Sequence, residues 1–136
     1  MTAYAEGTAV AAHGGFVMQN AMRNMSEGPV EITIDGDKYA ESAKHLEEAI
    51  QSGQRNEGVI DRAGSASRRR ENLSGVNTQS GMDRDEAPPA VINTGERSSV
   101  KHIPTSDNRG AGGSIGQQIK DLPDGTPVVI VPKQKS

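Results

Sequence analysis

The 136-residue sequence contains no cysteine. That removes disulfides and thiolate metal sites together, and it fits a chain that folds in reducing surroundings. There is no Trp, and only one Phe and two Tyr. A core of Val, Ile, Leu, Ala and Met buries less area per residue than one with aromatic rings, so modest stability is expected unless a metal or partner adds to it. No apolar run approaches the roughly eighteen residues of a membrane-spanning helix, so no membrane partner is expected. An excess of positive charge is missing as well, since 15 Lys and Arg against 18 Asp and Glu leave a net charge of −3. No global field therefore draws the chain to nucleic acid, and any such contact has to come from local clusters of Arg and Lys. The Walker A pattern is absent, which argues against a nucleotide hydrolase. His13, His45 and His102 are too widely spaced to form a metal motif, and His45 reads as a hydrogen-bonded structural residue on a helix. Asp35-Gly36-Asp37 has the start of a calcium loop but lacks the Glu that such a loop needs at its end.

What remains is one compact domain with an appended segment. Residues 1–28 are small or apolar with interspersed glycines, and they lack the basic start and cleavage pattern of a secretory signal. Phe16, Met18, Ala21, Met22 and Met25 fall roughly on one helical face, which predicts a helical arm or linker ending at Ser26-Glu27-Gly28-Pro29. The domain proper is then 29–136. Val30, Ile32 and Ile34 alternate with polar residues, the period of a half-buried strand. From Tyr39 to Gln51, Tyr39, Ala43, Leu46, Ala49 and Ile50 make one face of a helix that Gly53 ends. Val59-Ile60 is a short strand candidate, a polar helix carries Arg68, Arg69 and Arg70, and residues 72–82 are loop-like. Val128 to Val131 predicts a buried strand after the Pro123-Asp124-Gly125-Thr126 turn. The fold class expected is α+β, a small antiparallel sheet with helices.

Two polar clusters stand out. Asp83-Arg84-Asp85-Glu86 packs three acids and one base into four positions. Ser106-Asp107-Asn108-Arg109-Gly110-Ala111-Gly112 joins an Asp, an Asn and an Arg to a glycine-rich run. Pairing of Ala90-Val91-Ile92 with Val100-Lys101-His102-Ile103 as a β-hairpin, followed by a helix from near Asn108, would bring the clusters together in a β-β-α unit. By composition alone the acidic cluster is a solvated loop. Its functional reading is hard oxygen ligands for a divalent ion, or a general base, with Arg84 touching phosphate. Asn108 is a neutral oxygen ligand or a helix cap. Arg109 beside glycines suits a phosphate. Arg68, Arg69 and Arg70 point in three directions around a helix and make no single patch.

From about Tyr39 to Val131 the sequence resembles the NucA/NucB deoxyribonucleases, which belong to the ββα-metal, non-specific endonucleases. The matching stretches are Ala43-Lys44-His45-Leu46-Glu47-Glu48-Ala49-Ile50, Ile60-Asp61-Arg62, Arg69-Arg70-Glu71-Asn72-Leu73, the two polar clusters, and Pro123-Asp124-Gly125-Thr126. The resemblance implies a DNA substrate and a divalent cofactor, Mg²⁺ or Mn²⁺. It implies Asp85 as general base with Glu86 in reserve, and Asn108 as metal ligand. Asp83 and Gln118 are implied as further metal-shell groups. Arg84 and Arg109 would stabilise phosphate charge, and Arg69 and Arg70 would hold DNA. Such a site needs few base contacts, so cutting would be largely independent of sequence.

Two departures accompany the resemblance. Family members carry a Trp after the acidic motif, where this sequence has Ala87. They also carry a cysteine pair, whose positions align with Gly58 and Ile92, as expected if a disulfide was dispensed with for work in a reducing cytosol. The N-terminal stretch is similar to the junction before the toxin tip of large bacterial polymorphic or Rhs-type proteins. That similarity implies a secreted, delivered effector acting as a monomer in the target-cell cytoplasm, with a cognate immunity protein as its partner. The alternatives are an extracellular scavenging DNase and a relative that binds DNA or a partner without turnover.

Overall fold

Alternation of side chains sets the first strand as expected: Ile32 and Ile34 turn into the core while Glu31 faces solvent. The computed structural model describes residues 28–134, so the expected helical arm falls outside the described residues except for Gly28. In chain order the elements are β1 (Val30–Asp35), α1 (Ala40–Gln51), β2 (Glu57–Ile60), α2 (Ser65–Leu73), β3 (Met82–Ala87), β4 (Ile92–Asn93), β5 (Ser99–Pro104), α3 (Thr105–Ile119) and β6 (Pro127–Lys133). The class is α+β. One sheet has the order β1-β6-β2-β4 and a second holds β3 and β5. The larger sheet is mixed, because β1 and β6 run parallel while β2 is antiparallel to both β6 and β4.

The core lies between the inner face of the larger sheet and the helices α1 and α3. Ile32, Ile34, Val128 and Ile130 from the sheet meet Leu46 and Ala49 from α1 and Ala111, Ile115 and Ile119 from α3. Each fully buried Ile or Leu contributes about 1.5–3 kcal/mol of transfer free energy, enough to order a small sheet without aromatic rings.

The acidic cluster is a strand, not a loop, and this changes the pairing. β3 lies antiparallel to β5, with Asp83 opposite Ile103 and Asp85 opposite Lys101. The expected hairpin between 90–92 and 100–103 does not form, because Ile92 instead pairs with Ile60 of β2 and is buried in the core. Pro88 and Pro89 have no N–H to give a ladder, which separates the strand before them from the segment after them. The β-β-α unit exists, built from β3, β5 and α3. Its helix begins at Thr105 rather than near Asn108.

At the two positions aligned with the family's cysteine pair, Ile92 faces Ile60 while Gly58 lies beside the Val59–Asn93 pair. A Cβ at Gly58 would run into the carbonyl oxygen of Asn93.

Candidate active site

The site is assembled by α1, β3 and α3. Helix α1 has no side-chain cap of its own. Asp107, in the first turn of α3, supplies one: its two carboxylate oxygens accept the backbone N–H groups of Glu41 at 3.0 Å and Ser42 at 2.9 Å. Those N–H groups are among the donors that a helix start leaves without partners, and an anion there also meets the positive end of the helix dipole. Gly110 lets the same contact close, because a Cβ there would run into the ring of Tyr39. The glycine serves helix packing at this point, not the approach of an anion.

With α1 pinned this way, His45 is buried, 2% exposed. Its Nδ1 lies 2.6 Å from Asp85 Oδ2 and its Nε2 lies 3.0 Å from Ser99 Oγ. An ionised carboxylate only accepts, so Nδ1 carries the hydrogen of the bond to Asp85, while Nε2 bonds the Ser99 hydroxyl. Burial pushes the Asp85 carboxyl above its usual range, while the hydrogen bond from His45 and its charge pull the other way. Asp85 Oδ1 has no protein hydrogen-bond partner among the described residues. Asp85 is therefore a desolvated carboxylate held by one oxygen and free at the other.

The neighbouring acids are used differently. Glu86, with its side chain 6% exposed, accepts from Arg69 Nη1 at 2.9 Å and from Asn72 Nδ2 at 2.8 Å, one donor on each oxygen. Asp83 accepts from the Thr105 hydroxyl at 3.1 Å, Asn108 Nδ2 at 3.0 Å and Arg109 Nε at 3.4 Å. The Asn108 bond, with the others, holds the Asp83 carboxyl below its usual range against the opposing effect of burial. Because a carboxylate can only accept, the bond from Nδ2 fixes the Asn108 amide and turns its Oδ1 away from Asp83. The structure thus gives Asp83 three bonds that orient Asn108 and its neighbours.

Asp85 and Asn108 line one cavity of about 160 Å³, together with Glu86, Arg84 and Arg69. A second opening shares Arg69, Arg84 and Asn108 with it and adds Asp83 and Arg109. Arg84 donates to the carbonyl of Val76 at 3.0 Å, which ties the preceding loop to β3. Arg70 lines a shallower depression with Arg69 and Arg84. Of the candidate residues, Gln118 is not brought to the site. Its amide donates to the Thr33 carbonyl at 2.8 Å and accepts the Thr33 N–H at 2.9 Å, closing the free edge of β1. Ten residues along a helix from Asn108 is about 15 Å, which sets Gln118 apart from that residue.

His45 is the hydrogen-bonded helix residue that the sequence reading expected, but its pairing with Asp85 was not foreseen. The available signal was polar residues on the buried stripe of α1, where Ser42 and His45 stand three apart beside Leu46 and Ala49. Asn72 also went unmarked; it is buried, donates to Glu86 and accepts the Ser98 N–H at 3.0 Å. The Arg62 of the Ile60-Asp61-Arg62 stretch works at a distance from the site. It donates to the carbonyls of Ile119 and Leu122 and to Asp124, securing the end of α3.

For a metal, the donor set matters more than a count of acids. No three His, Asp or Glu side chains gather as a cage among the described residues. Mg²⁺ keeps several waters and is usually held by one or two carboxylates with substrate phosphates, so the cavity would offer it the free oxygen of Asp85 beside the amide oxygen of Asn108. The fixed outward Oδ1 of Asn108 fits that requirement.

No family model matches the chain. It is 45% identical over 100 residues, covering 73% of this chain and 68% of the relative, to a Bacillus subtilis (strain 168) protein named DNA-entry nuclease. The motifs, the β-β-α unit and this likeness agree, and the chain belongs to the NucA/NucB nuclease family.

Proposed function

We propose that the chain is a divalent-metal-dependent endonuclease that hydrolyses the phosphodiester backbone of DNA with little regard to sequence. The observation that carries this reading is a desolvated Asp85, one oxygen held by His45 and the other free, facing the same cavity as the fixed amide of Asn108. Asn108 Oδ1 would hold the ion, Mg²⁺ or Mn²⁺, with Asp83 orienting it. Bound there, the ion supplies charge neutralisation for the phosphate and the departing oxygen.

The chain's own residues supply the rest. Asp85 Oδ1 accepts the proton of the attacking water as general base, and His45 keeps its carboxylate turned toward the cavity. Arg84 and Arg69 stand at the rim and donate to phosphate oxygens, with Arg109 at the adjoining opening. Glu86 has both oxygens engaged, so it serves as the anchor of Arg69 and Asn72 and not as the base. Arg70 extends the cationic surface beyond the cavity. The likeness to a relative named for DNA supports DNA as substrate.

The test is plasmid relaxation by purified protein. Nicking is expected with Mg²⁺ or Mn²⁺, is abolished by EDTA, and falls at least about a hundredfold in Asn108→Ala, as for loss of a principal site group. Undiminished nicking in EDTA would remove the metal from the reading. An effector role in the cytoplasm of a competing bacterium, with an immunity protein as inhibitor, rests on the character of residues 1–28. Cytoplasmic expression in a bacterium tests it: growth arrest with loss of chromosomal DNA supports the role, and normal growth with active enzyme present favours a scavenging nuclease.

A further inference from the structure

The strand register sets Asp85 opposite Lys101 and Ala87 opposite Ser99, so these four side chains share one face of the β3–β5 ribbon. Helix α1 packs on that face: His45 meets Asp85 and Ser99, and Glu48 accepts from Lys101 Nζ at 2.8 Å. Asp85 and Ser99 are diagonal neighbours, which on an antiparallel pair stand about 7–8 Å apart. Two short side chains do not meet across that distance. An imidazole with a hydrogen bond at each nitrogen does span it, and His45 has both bonds, 2.6 Å to Asp85 Oδ2 and 3.0 Å to Ser99 Oγ.

The bond to Asp85 alone would leave the ring poorly fixed. The torsion that turns an imidazole is broad and roughly two-fold, so a ring anchored at one atom can tilt about it. A second anchor at the opposite nitrogen removes that freedom. It also gives a partner to a ring nitrogen in a residue only 2% exposed, where an unpaired polar atom is costly. The hydroxyl that does this is itself held in place. Its neighbour Ser98 donates its N–H to Asn72 Oδ1 at 3.0 Å and its hydroxyl to the Pro88 carbonyl at 2.6 Å, which pins the approach to β5. Ser99 does not line the cavity of Asp85 and Asn108; with His45 it lines a separate opening, beside Glu48 and Lys101. Any effect of Ser99 on cleavage therefore passes through His45.

Resting on the reading of Asp85 as general base, we propose that Ser99 is a positioning residue for the cleavage. Its hydroxyl fixes the ring of His45, and the ring in turn aims the free oxygen of Asp85 at the attacking water. Three side chains from three elements, β5, α1 and β3, thus hold the one atom that must meet the water. Displacing a reacting group by about 1 Å can cost about a hundredfold in rate, and losing a hydrogen bond that supports such a group typically costs about tenfold or more.

The test compares Ser99→Thr with Ser99→Val. The two replacements have nearly the same outline and both suit a strand, but only Thr keeps the hydroxyl. Single-turnover nicking of plasmid by the full chain with Mg²⁺ or Mn²⁺ is expected to slow at least about tenfold in Ser99→Val at saturating DNA, with the half-saturating DNA concentration unchanged. Ser99→Thr is expected to stay within about threefold of wild type. Ser99→Ala, which adds no bulk, is expected to slow by at least about threefold, so that crowding does not account for the loss in Ser99→Val.

A second readout needs neither metal nor DNA. In EDTA, the Nδ1 proton of His45 lies in a short buried hydrogen bond and is expected as a low-field proton resonance, identified by its loss in His45→Leu. It should be narrow in wild type and Ser99→Thr, and broadened or displaced in Ser99→Val. The same resonance in Ser99→Val and Ser99→Thr, or equal nicking rates for the two, overturns the role of Ser99 and leaves the nuclease reading intact. Failure of wild type to nick removes the nuclease reading, and this role with it.

Discussion

Replacing His45 with Leu keeps most of the buried volume but strands the Asp85 carboxylate. The native pair is a 2.6 Å hydrogen bond between side chains 3% and 12% exposed. Removing one partner from a buried pair of this kind costs about 3–5 kcal/mol when the other must stay charged. Protonation limits that cost. Burial already raises the Asp85 carboxyl, and losing the hydrogen bond and charge of His45, both of which lower it, raises it further. Below the ordinary carboxylate value both states hold the proton and there is no penalty. As pH rises from there to the raised folded value, the unfolded chain loses its proton while the folded one keeps it, so stability falls across that interval and the full penalty is present above it. Urea denaturation should therefore show His45→Leu destabilised by about 3 kcal/mol near pH 8, roughly 12 °C in Tm, and by clearly less near pH 5. Combining it with Asp85→Asn should be non-additive by about 2 kcal/mol, since the pair is one interaction. A pH-independent penalty, or strict additivity, would refute the argument that the two side chains act together.

Three further expectations test other parts of the site. Asp107→Ala removes a cap that satisfies two N–H groups of α1 and should cost about 1–2 kcal/mol by thermal denaturation, with lower activity because α1 carries His45. The Asp83 carboxyl is held below its usual range mainly by Asn108, so it adds stability that is present above the ordinary carboxylate pKa and is lost as pH falls through the lowered folded value. Asp83→Asn should flatten the acid side of a stability-versus-pH curve, and an unchanged acid limb would contradict this. Glu86→Gln keeps the shape but weakens the grip on Arg69. It should raise KM for DNA several-fold with kcat little changed, whereas a base at this position would lose kcat by about a hundredfold or more.

The elements that were legible in the sequence are those whose burial follows a period. Val30–Asp35, the helix to Gln51 and the last strand expose apolar residues to one side or bury a continuous run, and all three are present. β3 was hidden because Met82–Ala87 carries charged residues on both faces of a strand, with Asp85 and Glu86 each held by a partner distant in sequence. Which segment pairs with Val100–Ile103 is a long-range matter that no local pattern encodes. The clusters around Asp85 and Asn108 were legible as chemistry, since hard acids beside Arg and Asn are costly to place together without use. The division of labour among Asp83, Asp85 and Glu86 was not, because it depends on which donors the fold delivers to each. Gln118 shows the same limit: helix α3 was foreseen, but not the distance at which its far turn meets the edge of β1.

The most direct measurement is the single-turnover rate of plasmid nicking, with Mg²⁺ or Mn²⁺, by wild type and by Asp85→Asn under identical conditions. Asn keeps the size and can still accept from His45, but it cannot take a proton from water. A fall in rate of about a hundredfold or more, with the variant as folded as wild type, is the expected result. Equal rates would mean that Asp85 is not the base and that the chemistry is carried elsewhere.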